Sequence, residues 1–488
     1  MKTRLYLKFI SIVVFSILVS SGCKKDPDPV PVVIPAADQV NLFIWNSLHD
    51  YYLWNGIVPG LSDDKYLVKD SLNRMLNKYT DPQVLFTSLL YKYNEIDKWS
   101  FLVDNSKTIA DWISGTSKTM GYDFMLGRIG TSGDIFGFVR YIVKGSPAEL
   151  AGMKRGDIFL KVDGQQLTIS NYQTLLINSE NYTLGFATIA NNTISANSRT
   201  VTMSAIDLQE NPINKDTVFV YNNQLIGYLV YNGFNAAFDL QLNNVFKKFK
   251  DANVQQMVVD LRYNGGGSVQ SSVYLASMLY GTDGTKVFAT SKYNLGVQNY
   301  LVGQNGVEAL SDYFTATIDA TSSTPSASIN SLHLQKIYFI VSDNTASASE
   351  LLINGLKPYM NVKVVGINTV GKYVGSVTLK DVDDNGVEKS SWAMQPIVVK
   401  YANSAGVSDF VNGMIPDIIA EEDIANLLPF GDPQEKLLSY VLSDISGIPV
   451  TSMTLKSAQI GLKKVVDSHD FKPFATDMYI KPIKNIHP

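Results

Sequence analysis

The sequence predicts a multidomain α/β protein: an N-terminal helical domain, a β-rich domain with short helices, and an α/β core with a mostly parallel sheet plus β-hairpins. Three observations carry this. The 488 residues exceed what one hydrophobic core holds, so two to four domains are expected. Apolar residues recur at helical spacing from Asp38 to about residue 110. Beyond Asp216, apolar β-branched runs alternate with helical stretches, the pattern of a largely parallel sheet. A hydrophobic fraction of 45% and a charged fraction of 18% suit a globular chain. The net charge of −4, without a large basic block, argues against nucleic acid as the main partner. His49, His333, His469 and His487 are scattered without metal-ligand spacing, so neither a metal nor a cofactor is expected.

The chain opens on Lys2, Arg4 and Lys8, followed by an apolar run from Phe9 to Val19 that is too short to span a membrane. Residues 1–22 therefore read as a secretion signal. Ser20, Ser21 and Gly22 lead into Cys23, the single cysteine, which excludes an intrachain disulfide and a multi-thiolate zinc site. This end resembles a bacterial lipoprotein signal, with Ser20 where leucine is usual. The resemblance implies lipid attachment at Cys23 and anchoring to the cell envelope, at the outer membrane on its periplasmic or surface side. An ordinary signal peptide cleaved elsewhere is the alternative. Residues 23–37 are proline-rich and read as an extended tether.

Residues 38–110 follow as a helical domain. Val40, Ile44, Leu48 and Tyr51 share one helix face, and a second helix is expected over Asp64 to Lys78, with Leu67, Leu72 and Leu76 inward. Residues 119–205 read as β-rich. Pro147 ends a turn, a short helix closes at Gly152, Gly156-Asp157 turns into the strand Ile158 to Val162, and Asp163-Gly164 makes a hairpin turn. The run Gly145-Ser-Pro-Ala148, Arg155-Gly156-Asp157 and Val162-Asp163-Gly164 resembles PDZ domains of bacterial proteases. It implies that an extended peptide adds to a sheet edge with its C-terminal carboxylate on backbone N–H groups. Gly121, Tyr122, Asp123 and Phe124, in the loop and strand at that edge, are the matching substrate-binding candidates.

Residues 207–445 hold the core. Val218-Phe219-Val220 and Ile226 to Leu229 form a hairpin about Asn222-Asn223, and a helix covers Ala236 to Lys250. The strand Met257 to Arg262 runs into Gly265-Gly266-Gly267, which lacks the ending of a phosphate-binding loop. Next come a buried strand, Ile337 to Val341, a small polar turn, a helix closed near Pro358, and a second strand ending before Gly371-Lys372. Ser347 stands at the helix N-terminus, where backbone N–H groups favour negative charge. On its own, Ser347-Ala-Ser-Glu350 equally fits a capping box.

The Ser-Ala-Ser-Glu run, with a Gly-Lys pair placing Lys372 25 residues after Ser347, resembles the tail-specific or carboxyl-terminal processing serine proteases. The likeness extends from about residue 38 to 445 and includes Leu261-Arg262-x-Asn264-x-Gly-Gly and Gly413-x-x-Pro416-Asp417. It implies Ser347 as nucleophile, Lys372 as base, and the N–H groups of Gly266 and Ala348 as an oxyanion hole. The substrates implied are proteins or peptides with a free C-terminus. Ser376 stands where the family commonly has an orienting glutamine, so it takes that third catalytic place. The competing reading is a catalytically inactive lipoprotein that binds peptide tails as a scaffold. Asp381 to Gly386 reads as a hairpin turn rather than a calcium loop. Residues 446–488 are an extension without an assigned role.

Overall fold

The computed structural model describes residues 34–483, apart from 67, 130, 191–192, 322–323, 409, 451–461 and 473. The signal segment and Cys23 lie outside the described residues.

The helical domain begins at Asp38, whose carboxylate caps the helix Gln39–Tyr51 by accepting from Val40 N–H and Asn41 N–H. Ile44 and Leu48 bury against Leu76, Leu85 and Phe86, and the same cluster takes in Met394 and Ile397 of the core. The domain is therefore seated on the core. The helix expected over residues 64–78 is two pieces, Asp63–Tyr66 and Lys69–Leu76, because Val68 takes an extended conformation between them.

The β-rich domain is an antiparallel sheet in the order 462–467, 122–129, 136–142, 158–162, 181–190, 193–204. Leu126, Val139, Phe159 and Leu184 fill its core, the inward half of alternating strands. A pairing of Thr116–Thr119 with Ile206–Gln209 closes the stem, so the module is slightly wider than 119–205. Its first strand comes from the C-terminal extension.

The core sheet runs 213–221, 224–231, 256–260, 336–341, 361–366, 418–419. Only the first pair is antiparallel; the remaining four interfaces are parallel, as the alternating pattern predicted. Ile337, Phe339 and Val341 face helices Asp239–Asp251, Val269–Leu279 and Ala348–Leu356. Tyr338 and Ile340 face helix Lys436–Ser446 on the other side. A second sheet, ordered 267–268, 478–479, 374–376, 397–403, 287–293, 311–313, flanks the first, and it too contains a piece of the C-terminal extension.

Charge is buried where the β-rich domain meets the core. Arg262 is fully enclosed with Asp260, Glu422 and Glu435. From the β-rich domain Arg155 reaches the same Glu422 and donates to Leu428 O at 2.8 Å. Burial alone would raise the Glu422 carboxyl, but Arg155 and Arg262 outweigh it and hold the group down at about 2.

Candidate active site

The parallel sheet delivers its strands to one end, where two turns are laced together. Thr345 Oγ1 donates to Leu261 O at 2.7 Å and accepts from Ser342 N–H at 2.9 Å. Ala346 N–H and Ser349 Oγ both reach Asn264 O at 3.1 Å. The turn bearing Ser347 is thus fastened to the turn leading into the glycine cluster. Ser347 itself has φ +65° and ψ −112°, a conformation that costs a non-glycine residue energy and recurs at functional turns. Its side chain is buried and Oγ has no hydrogen-bond partner among the described residues. Of the capping box only the return half forms a hydrogen bond, from Ser347 N–H to Glu350, and the hydroxyl makes none.

Glu350 holds the site together. Oε2 accepts the backbone N–H of Ser347 at 2.8 Å and that of Lys372 at 2.8 Å. Oε1 accepts from Thr369 Oγ1 at 2.5 Å and Gly371 N–H at 2.7 Å. One carboxylate oxygen therefore brings the backbones of Ser347 and Lys372 side by side. Burial pushes the Glu350 carboxyl up to about 7, against the four hydrogen bonds that favour its charged form. The sequence suggested Glu350 only as a capping partner. Its bonds to Thr369, Gly371 and Lys372 join segments too far apart in the chain for a local motif to show.

Lys372 and Ser376 are both fully buried. Burial lowers the Lys372 ammonium from its ordinary value, and Asp477 opposes that shift. Nζ lies 5.5 Å from the centre of the Trp99 ring and forms an ion pair with Asp477 Oδ1. Lys372 is thus not hydrogen-bonded to Ser347. Ser376 Oγ lies 2.9 Å from Asp477 Oδ2 and accepts from Gln395 Nε2 at 3.0 Å. A glutamine does reach the site, from the strand Glu388–Gln395 rather than from the position after Lys372. Asp477 comes from a stretch for which the sequence suggested no role; the short apolar run Met478-Tyr479-Ile480 was its only structural signal.

Gly266 has φ +118°, and a Cβ there would stand 2.7 Å from Ser347 Cβ and 3.2 Å from Ala348 N, so only glycine lets the backbone come this close. The two expected oxyanion donors are accordingly neighbours of the Ser347 side chain. In this structure, however, Gly266 N–H donates to Asn264 Oδ1 at 2.9 Å, and it must leave that partner to serve an oxyanion. Beside them opens a cleft of about 370 Å³, lined by Trp112, Phe234, Gly266, Phe474 and Tyr479 among others.

The expected peptide-binding edge is not free. Gly121 N–H is satisfied by Thr119 Oγ1 at 2.9 Å, and Tyr122 OH is bonded to Tyr182 OH at 2.7 Å. Asp123 is buried in an ion pair with Arg140, and Phe124 N–H donates to Ser468 Oγ at 3.2 Å. The strand to which a peptide would add is paired instead with Leu462–Asp467 of the same chain. This corrects the expectation of an open edge, and it gives residues 462–467 of the extension a location.

Comparison with known proteins places these features in a family. Residues 225–420 match the model of peptidase family S41, residues 39–101 that of the peptidase S41 N-terminal domain, and residues 138–184 a PDZ domain. A chloroplastic C-terminal processing peptidase of Tetradesmus obliquus is 24% identical over 74% of this chain and 72% of its own length. A carboxyl-terminal-processing protease of Synechocystis sp. is 23% identical over 62% of this chain and 63% of its own length. The crystal structure of a putative S41 protease from Bacteroides fragilis superposes with a TM-score of 0.66 at 24% identity, covering 87% of this chain and 100% of that one. That likeness bears on the fold.

Proposed function

Because the chain belongs to peptidase family S41 and also carries the S41 N-terminal domain and a PDZ domain, we propose that it hydrolyses polypeptides by a Ser/Lys mechanism at the cell envelope. The observation that carries this reading is the single Glu350 oxygen accepting both the Ser347 and the Lys372 N–H. It fixes nucleophile and base on adjoining backbones.

In the reaction, Ser347 Oγ adds to the peptide carbonyl carbon and neutral Lys372 Nζ takes the hydroxyl proton. The negative oxygen falls to the N–H groups of Ala348 and Gly266. As the C–N bond breaks, Lys372 returns the proton to the leaving amine. Water then attacks the ester, losing its proton to Nζ, and Ser347 is regenerated. A lysine in water titrates near about 10.4, so a neutral amine near pH 7 requires the burial that Lys372 has. Ser376, which accepts from Gln395, meets the amine through Asp477, the carboxylate that both side chains contact.

Ser347→Ala, Lys372→Ala and the double variant should lose activity to a similar extent on an unstructured protein with an apolar C-terminus, because members of one catalytic unit are not additive. Lys372→Arg should be almost as damaging, since guanidinium stays protonated. Near-native turnover by either Lys372 variant would rule out lysine as base. Failure of any chain to show Ser347-dependent cleavage would favour the scaffold reading. The basic and apolar N-terminal segment ending on Cys23 supports a lipid anchor there. Intact mass of membrane-extracted protein should show the adduct, and a soluble chain lacking Cys23 would refute it.

A further inference from the structure

The peptidase reading leaves the C-terminal extension unused, yet its described part pairs with the PDZ edge and lines the cleft beside Gly266. Leu462–Asp467 adds antiparallel to the PDZ edge strand Tyr122–Ile129, with Leu462 opposite Ile129 and Asp467 opposite Met125. Asp467 is held by Arg140 Nη1 at 2.6 Å and by Asn344 Nδ2, from the nucleophile turn, at 3.0 Å. Ser468 Oγ donates to Asp123 at 2.8 Å. Phe474 then stacks on Phe101 at a centroid distance of 3.5 Å and meets Trp112 edge-on. Ala475 O passes over Gly265 so closely that a Cβ there would lie 1.6 Å from it. Met478–Tyr479 finally forms a strand beside Gly267–Ser268 and Ser376.

Resting on the Ser/Lys reading above, we propose that the C-terminal extension, in its described residues 462–472 and 474–480, is the chain's own pseudosubstrate, bound along the PDZ edge and against the catalytic cleft with Asp477 seated on Lys372 and Ser376. The Asp477 carbonyl oxygen is 2.8 Å from the point that a Gly266 Cβ would fill, and Ser347 Cβ is 2.7 Å from that same point. The Asp477 carbonyl oxygen and the Ser347 side chain thus close on the same face of Gly266. Three features make it an inhibitor rather than a substrate. The Asp477 carboxylate takes the Lys372 amine that should receive the serine proton. Ser347 Oγ is left without a partner. Met478 N–H, the leaving group of a cut at this bond, points back to Asp477 Oδ1 at 2.9 Å.

Turnover of a short internally quenched peptide by the full chain tests this. Asp477→Ala should raise kcat/KM tenfold or more, and Asp467→Ala, which frees the tail from Arg140, should raise it less. A chain ending at residue 461 should match Asp477→Ala, and a synthetic 462–483 peptide should suppress it again. Thermal melts check that each variant folds, and Asp477→Ala decides the matter if the truncated chain does not. A fully active native chain that none of these changes accelerates overturns the pseudosubstrate and leaves the peptidase reading intact. Ser347-dependent loss of the tail from the native chain, read by intact mass, also overturns it, because the tail is then a substrate. Ser347-independent or absent turnover in every variant removes both readings.

Discussion

Replacing Glu350 by glutamine exchanges one carboxylate oxygen for an NH2 group. Each oxygen now accepts two donors, so either amide orientation sets two donors against a third. Each orphaned donor costs about 1–3 kcal/mol. Glu350→Gln should therefore lower stability by a few kcal/mol and cut kcat at least tenfold, because the Ser347 and Lys372 backbones separate; denaturant melts and steady-state rates measure the two effects. The pH dependence has a defined sign. Burial raises the group from 4.5 to about 7, so the folded chain holds this proton better than the unfolded one. The resulting stabilisation is complete below about pH 4.5 and is lost as pH rises through about 7, a contribution of about 3 kcal/mol. Glu350→Gln should flatten that part of the Tm profile. A profile unchanged by the substitution would show that some other group titrates there.

Between the elements, Thr345 ties the turn bearing Ser347 to the end of the neighbouring strand. Thr345→Val keeps the shape but orphans Ser342 N–H and leaves Leu261 O with Asn264 N–H alone, so a loss of about 1–3 kcal/mol is expected together with reduced kcat. Unaltered kinetics at unchanged stability would mean that the two turns hold their places without it. This lacing was invisible in the sequence, although the elements it joins were not. The strand Lys336–Val341, the helix from Ala348 and the strand Asn361–Gly366 are legible because their apolar periods are local and strong. The spacing of Ser347 and Lys372 is legible because the two close one strand–helix–strand unit. Asp477 is not, since it meets Lys372 across 105 residues of sequence with no period linking them. Gln395 likewise arrives through a neighbouring strand, 19 residues from Ser376. The break at Val68 was missed because the helical period continues across it.

At the scale of the whole molecule, Glu422 joins the PDZ domain to the core by serving Arg155 and Arg262 together. Glu422→Ala leaves two buried guanidinium groups short of a counter-charge, and removing one partner of a buried pair costs about 3–5 kcal/mol. A fall of that size in denaturant melts is expected, and a change below about 1 kcal/mol would show that Glu435 and Asp260 suffice. Because the carboxyl is held at about 2 against an ordinary 4.5, its contribution is present above pH 4.5 and disappears as pH falls toward 2. The strand Leu462–Asp467 carries a different consequence, one of competition. Its occupant is covalently attached, so diluting the protein does not empty the cleft, and the local concentration of the tail stays near about a millimolar whatever the number of molecules present. A free peptide at micromolar levels meets that rival at about a thousandfold disadvantage. Proteolytic output would then follow how often the tail lets go, and accumulating more of the protein would scale that output without changing its readiness.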